Sequence, residues 1–105
     1  MLQTLDASVA ENTIVVFTSY NGGERYSDTW PFTGRKTELL EGGLRVPTLI
    51  RWPALVPFGI ASEQVTIGMD WFPTLLAAPG AAPDAAYLPD GIDLRPLLAK
   101  GVAPI

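Results

Sequence analysis

The 105-residue sequence contains neither cysteine nor histidine. Without cysteine there can be no disulfide, no thiolate metal site and no thiol nucleophile. Without histidine there is no side chain that ordinarily carries protons near neutral pH and no imidazole metal ligand. A self-contained hydrolase would have to use Lys, Asp, Glu or Tyr for every proton transfer, which argues against one.

Basic residues and long apolar segments are also scarce. Seven Lys and Arg stand against 11 Asp and Glu, giving a net charge of −4. No basic run is long enough to follow a phosphate backbone, so we expect no nucleic-acid partner. No stretch supplies the roughly 20 consecutive apolar residues of a membrane span. Apolar residues nevertheless make up 48% of the chain, which predicts a folded core.

The pattern of apolar residues predicts an α/β fold. Residues 2–10 have helical spacing. Residues 13–18 form a β-branched and aromatic run that is apolar on both faces from Ile14 to Phe17, typical of an interior strand in a parallel sheet. A second strand is predicted over 46–52, entered through Pro47. A helix is predicted over 71–78. These assignments make the polar segments between them the candidate site regions.

Smaller features complete the prediction. Residues 19–34 are predicted to form a long surface loop, and 36–41 one helical turn that stops at the following glycines. Asp70 is the expected N-cap of the 71–78 helix, and Pro79-Gly80 its stop. Asp90 and Asp93 are interpreted as cap and turn residues. Residues 81–86 are interpreted as a linker.

Two ordered motifs follow the first strand. The strand ends Val-Val-Phe-Thr-Ser-Tyr-Asn-Gly-Gly at Gly23, and Gly34-Arg-Lys36 is followed by Glu-Gly-Gly-Leu-Arg-Val-Pro at 41–47. Together they resemble the sulfatase family, in which an apolar strand ends Thr-Ser-Asp-Asn-Gly and Gly-x-Lys precedes Glu-Gly-Gly-x-Arg-Val-Pro. The segment from Asp90 to Leu98 is similar to one near the end of sulfatase catalytic domains.

The resemblance implies a fold and an extent. It is to the carboxyl portion of a sulfatase catalytic domain, so the whole chain, 1–105, is interpreted as a single fragment of it. The expected architecture is α/β, a truncated part of an alkaline-phosphatase-like doubly wound sheet.

The resemblance also implies a metal ligand. In sulfatases the Asn matching Asn21 and the Asp before it help to hold Ca²⁺ or Mg²⁺, and two more carboxylates come from an upstream strand. Here Tyr20 occupies the Asp position. Hard divalent cations prefer anionic oxygen ligands, and a phenol with a pKa of about 10 is a poor replacement. We therefore expect weak metal binding. The plain alternative is that Asn21-Gly22 is an ordinary turn.

Lys36 is similar to the sulfatase lysine that contacts the sulfate group, where an ammonium would stabilise developing negative charge. This makes it the candidate catalytic and substrate-binding residue; the alternative is a solvated loop lysine. Trp30 is interpreted as a substrate contact, whereas Trp52 and Trp71 are expected to fill apolar space. Glu41 and Arg45 are expected to pair across the glycines, with anion binding by Arg45 as the minor alternative.

Three functional hypotheses remain open. The formylglycine motif Cys/Ser-x-Pro-x-Arg that sulfatases use is missing, as are the upstream Asp ligands and the catalytic histidines. The first hypothesis is a portion of a sulfuric ester hydrolase, inactive alone. The second is a degenerate remnant that acts in binding or assembly. The third is a fragment of a phosphate or phosphonate ester hydrolase of the same superfamily.

The strand pattern further predicts self-association. An apolar strand without neighbours on both sides leaves sheet edges open, and open edges pair with other chains. We therefore expect a homo-oligomer.

Overall fold

The computed structural model describes residues 7–100, and within them two compact units. One comprises residues 14–51, and the other residues 7–13 together with 52–100. The predicted helix over 2–10 is seen as α1, Ala7–Ala10, and its earlier part lies outside the described residues. None of the helices in the described part is long and apolar enough to cross a membrane.

The 14–51 unit is built on two short strands. Strand β1, Val15–Thr18, pairs with β2, Thr48–Arg51, in an antiparallel ladder that sets Val15 opposite Arg51 and Thr18 opposite Thr48. Both strands lie within the predicted ranges. Pro47 directly precedes β2, as expected of a residue that cannot donate to a ladder. The connection is an irregular loop followed by the short helix α2, Glu41–Leu44.

The prediction that β1 is an interior strand of a parallel sheet is wrong for the described residues. Its partner within the described residues runs antiparallel, and Phe17 and the opposite Leu49 are 64% and 65% exposed. Side chains alternate between the faces of a sheet, so these two share one face while Val16 and Ile50, both half-buried, share the other. The apolar composition of β1 correctly indicates a strand. That composition does not show whether other parts of the chain cover both faces of the strand.

The predicted helical turn at 36–41 is also wrong. Thr37 has a φ of 78°, a left-handed conformation that interrupts a right-handed helix. The helix begins instead at Glu41 and includes Gly42 and Gly43, with the Leu40 carbonyl accepting hydrogen bonds from the N–H groups of Gly43 and Leu44 at 2.8 and 3.0 Å. The glycines that were predicted to stop a helix thus lie inside one, at positions where the neighbouring backbone is too close for a side chain.

The second unit contains a 3₁₀ turn, Gly68–Asp70, and two helices, α3 at Trp71–Ala77 and α4 at Arg95–Lys100. Helix α3 ends one residue before its predicted end, and Gly80 adopts a φ of 85° in the turn that follows. Asp70 is the N-cap residue of α3, as predicted, but its side chain makes no capping hydrogen bond to that helix. Its carboxylate accepts hydrogen bonds from the N–H groups of Ile67 and Ile92, at 2.9 and 3.0 Å.

The core of this unit is small. Leu94, Leu97 and Trp52 are 1%, 7% and 9% exposed, which confirms apolar filling by Trp52. The fully buried Thr74 hydroxyl donates to the Asp70 carbonyl at 2.6 Å and accepts from the Leu94 N–H at 2.8 Å. These bonds satisfy a polar side chain that would otherwise be costly at this depth.

A hydrogen-bonded pair joins α4 to the end of α3. The Arg95 guanidinium contacts the Asp93 carboxylate, with Nη2 and Oδ2 2.8 Å apart, and donates through Nη1 to the Ala77 carbonyl at 2.7 Å. The Asp93 carboxylate also accepts from the Arg95 N–H at 2.9 Å, a contact between near neighbours that agrees with the interpretation of Asp93 as a cap or turn residue. Hydrogen bonds from the Arg95 side chain hold the pKa of Asp93 below its usual range.

Candidate functional site

The loop after β1 fixes Asn21 through short-range hydrogen bonds. The Ser19 hydroxyl donates to the Asn21 carbonyl at 2.7 Å, and the Asn21 side-chain amide donates from Nδ2 to the Gly22 carbonyl at 2.7 Å. Asn21 is half-buried, whereas Tyr20 beside it is 90% exposed. The loop therefore orients Asn21 and leaves Tyr20 on the surface.

Two glycine pairs hold this loop against α2. The Gly22 N–H donates to the Gly43 carbonyl at 2.7 Å, and the Gly42 N–H donates to the Thr33 carbonyl at 2.8 Å. A Cβ atom at Gly22 would overlap the Gly42 carbonyl, and one at Gly43 would overlap the carbonyls of Glu38 and Arg35. The backbones approach at a distance that only glycine permits. The two motifs found in the sequence thus form one packed element.

Lys36 is anchored beside the same loop. Its N–H donates to the Gly23 carbonyl at 2.8 Å. Its Nζ lies 3.3 Å from Glu24 Oε2 and 5.9 Å from the centre of the Tyr20 ring. The hydrogen bond with Glu24 raises the pKa of Lys36 above its usual value. The pKa of Glu24 is lowered, first by the Arg25 N–H and then by Lys36. The ammonium is therefore a charged group at neutral pH.

An open cleft of about 470 Å³ lies within the 14–51 unit. It is lined by residues of the loop, of α2 and of the segment before β2: Ser19, Asn21, Gly22, Gly23, Glu24, Asp28, Thr29, Trp30, Phe32, Gly42, Arg45, Val46 and Pro47. Trp30 is 85% exposed, and its peptide bond to Pro31 is cis. Hydroxyl, amide, carboxylate and indole groups are thus available to a polar molecule with an apolar face.

Arg45 directly follows α2 and lines this cleft. Its guanidinium carbon lies 4.8 Å from the centre of the Phe32 ring, and Nη1 lies 3.7 Å from Glu41 Oε2. The predicted pairing of Glu41 with Arg45 is therefore confirmed. Both side chains are more than half exposed, so the ion pair contributes about 1 kcal/mol or less. Stacking on Phe32 adds to the orientation of Arg45.

The structure brings some of the predicted site residues together and separates others. Asn21 and Trp30 both line the cleft, while Lys36 does not, although its partner Glu24 does. Sequence analysis missed Glu24, Asp28 and Phe32. Position 24 directly follows the paired glycines, but nothing in the spacing indicates that its carboxylate meets a lysine 12 residues further along.

Tyr20 and Asn21 form the corner that follows β1. The residues at this corner do not by themselves fit a divalent metal. The candidate donors are the Asn21 amide and, at the position of an acidic ligand, the Tyr20 phenol. Within residues 7–100 no group of three or more acidic side chains is arranged to hold a metal ion. Ca²⁺ and Mg²⁺ require six or more oxygen ligands, usually including carboxylates. The role of Asn21 as a metal ligand therefore stays a prediction.

Comparison with known proteins places these features in a family. The family model described as Sulfatase matches residues 1–81. N-acetylgalactosamine-6-sulfatase from Homo sapiens is 40% identical over 102 residues, which is 91% of this chain and 20% of that protein. The enzyme of the same name from Canis lupus familiaris is 38% identical, with the same coverage. Steryl-sulfatase from Rattus norvegicus is 39% identical over 109 residues, 93% of this chain and 19% of that protein.

A solved structure agrees. The crystal structure of Ps i-CgsB superimposes with a TM-score of 0.80 at 34% sequence identity, covering 87% of this chain and 21% of that one. The chain spans about a fifth of the length of the curated relatives that it matches.

Proposed function

This chain belongs to the sulfatase family, and on that premise we propose that it is the portion of a sulfuric ester hydrolase that supplies a sulfate-contacting lysine, Lys36. Its small α/β architecture, which contains a two-stranded sheet, is a part of the alkaline-phosphatase-like fold. Members of the family act on sulfate esters, so a sulfate ester is the substrate class. The relatives' names include both an amino-sugar sulfatase and a sterol sulfatase, and we propose no choice between the two.

The observation that carries the proposal is the position of Lys36. The packing of the glycines brings Lys36 next to the loop that follows β1. The Lys36 N–H donates to the Gly23 carbonyl in that loop at 2.8 Å. An ammonium at that place can neutralise a sulfate oxygen and the charge that develops when the ester bond breaks. The Asn21 amide and the Trp30 indole would meet the rest of the substrate in the adjoining cleft.

We further propose that the chain does not turn over sulfate esters alone. It has no Cys/Ser-x-Pro-x-Arg sequence from which the formylglycine nucleophile could be made, and it has no histidine. Lys36 can stabilise charge, but it does not replace a nucleophile and a proton carrier. In this proposal, catalysis requires groups that the 105 residues do not contain.

The role of Lys36 is tested by sulfate binding. Inorganic sulfate, titrated into the chain and followed by NMR, should shift the resonances of Lys36 and of the 19–24 loop. Lys36→Met is expected to weaken this binding about tenfold, because a hydrogen bond to a charged group contributes about 1.5 kcal/mol or more.

The matched control is the neighbouring cation. Arg35 is exposed and pairs with Glu38 at 3.6 Å, so Arg35→Met should change the affinity for sulfate less than twofold. Equal affinities in the Lys36→Met variant and the unchanged chain would contradict the proposal. Hydrolysis of an aryl sulfate by the chain alone would contradict the proposed dependence on an external nucleophile.

A second function, self-assembly, is favoured by the exposed face of the sheet. Phe17 and Leu49 lie opposite each other in the ladder and are both about two-thirds exposed. Within the described residues β1 and β2 pair with one another alone, so each has an outer edge. We propose that a second copy of the chain covers this face and pairs with an edge.

Light scattering tests this proposal. The chain should be dimeric or larger at high concentration, and Phe17→Asp should shift it toward the monomer because a carboxylate would be buried in the contact. Phe58→Asp is the control, since Phe58 is fully exposed but lies in the other unit. A monomer at all concentrations, or equal dissociation by the two variants, would refute assembly through this face.

A further inference from the structure

Tyr20 occupies the corner at which the family resemblance implies an acidic metal ligand, and in this structure it lies beside a lysine. We propose that Tyr20 and Glu24 are positioning residues that hold the ammonium of Lys36, so that the cation bound at this corner is the chain's own lysine. Only the importance of Lys36 rests on the proposed function. The positioning roles of Tyr20 and Glu24 rest on their contacts with Lys36.

The first support is the path of the backbone. The Lys36 N–H donates to the carbonyl of Gly23, the residue directly before Glu24. This bond brings the start of the Lys36 side chain next to the Glu24 side chain. The salt bridge of 3.3 Å between Nζ and Oε2 follows from that anchoring, so less conformational entropy is lost than when two unconstrained side chains pair.

The second support is the distance of 5.9 Å between Lys36 Nζ and the centre of the Tyr20 ring. An ammonium within about 6 Å of a ring centre is attracted by the negative face of the aromatic system. The Lys36 side chain is 35% exposed, against 64% for Glu24, so the lysine is the more covered member of the ion pair. Glu24 and Tyr20 therefore together constrain one charge.

The chemistry of the substitution agrees with this arrangement. A carboxylate at position 20 would offer oxygen atoms to a hard divalent ion, whereas a phenol ring offers a π face, which suits an ammonium. The residues of the described part do not assemble a cluster of acidic ligands. A tyrosine here exchanges an oxygen ligand for an aromatic contact to the residue proposed to bind sulfate.

NMR of the lysine side chains tests the contact directly. The chain has two lysines, Lys36 and Lys100, so selective lysine labelling gives two sets of ε-methylene resonances, and Lys36→Met assigns them. Protons near the face of a ring are shifted upfield. We expect the ε-methylene protons of Lys36 to show this shift, to lose it in Tyr20→Leu and to retain it in Tyr20→Phe, which keeps the ring. Glu24→Gln should reduce it.

Tyr26 supplies the matched control. It is 94% exposed and contacts Arg25, with 5.5 Å between the guanidinium carbon and the ring centre. Tyr26→Leu should leave the Lys36 resonances unchanged. An unchanged Lys36 shift in Tyr20→Leu, or loss of the shift in Tyr20→Phe, would overturn the proposal.

Divalent ions provide the second measurement. Adding millimolar Ca²⁺ or Mg²⁺ to the unaltered chain should leave the Lys36 resonances in place, because the corner already holds an ammonium. A saturable displacement of Lys36 together with Asn21 would show that a metal competes for the corner, and would also overturn the proposal. Neither measurement uses sulfate. A failure of sulfate binding would therefore count against the proposed function only. The positioning of Lys36 is decided separately, by the lysine resonances.

Discussion

Gly42→Ala is expected to destabilise the chain by about 2 kcal/mol, although alanine is the better helix former. In an open helix the substitution would gain about 1 kcal/mol from helix propensity. Here a Cβ would overlap the Gly34 carbonyl and lie 2.9 Å from the Thr33 carbonyl oxygen. Forcing an extra carbon into a packed site costs about 3 kcal/mol, and backbone atoms cannot move aside as a flexible side chain could. The steric cost therefore exceeds the gain in helix propensity.

Gly68→Ala is the control for this prediction. Gly68 likewise lies in the first turn of a helix, but a Cβ there would meet no atom within 4 Å. Its expected effect is within about 0.5 kcal/mol, as for most exposed substitutions. Urea denaturation of both variants gives the comparison, and amide exchange at Gly22 and Gly43 locates the change. If Gly42→Ala were as stable as Gly68→Ala, the close approach of Gly42 to the Thr33 and Gly34 carbonyls would be wrong.

Asp70→Ala is expected to cost about 3 kcal/mol in the other unit. Asp70 is 6% exposed, and its two carboxylate oxygens each accept a backbone N–H, from Ile67 and from Ile92. A hydrogen bond to a charged group contributes about 1.5 to 3 kcal/mol, and the donors left behind lie in a partly buried position. Residues 67 and 92 are held together through this one side chain, so the loss affects two segments at once.

Two further variants make the measurement specific. Asp70→Asn keeps one carbonyl oxygen as an acceptor and should lose about half as much free energy of unfolding. Asp84→Ala also removes a carboxylate that accepts a backbone N–H, from Ala86 at 2.8 Å, but in an exposed loop, so about 0.5 kcal/mol is expected. Thermal or urea unfolding decides the order. Equal losses for Asp70→Ala and Asp84→Ala would contradict a special role for Asp70.

Asp70 also shows how far local sequence patterns reach. They locate the helix after Asp70 to within one residue and indicate that its carboxylate accepts backbone N–H groups, yet they assign the wrong donors. One donor, Ile92, lies 22 residues further along the chain. Local patterns carry no information on such a contact, because it depends on how the intervening loop returns.

Several features could be predicted from the amino-acid sequence: the two strands, the long loop between them, the helix stop at Pro79-Gly80 and the pairing of Glu41 with Arg45. Each depends on residues a few positions apart, where backbone propensity and side-chain reach suffice. The family could be predicted too, because its motifs are contiguous in the amino-acid sequence: Asn-Gly-Gly, Gly-x-Lys and Glu-Gly-Gly-x-Arg-Val-Pro. Only the folded chain shows that Gly42 and Gly43 form a helix and that Lys36 meets Glu24 and Tyr20. Both outcomes depend on the path of the loop between residues 19 and 40, which brings together groups that no local rule connects.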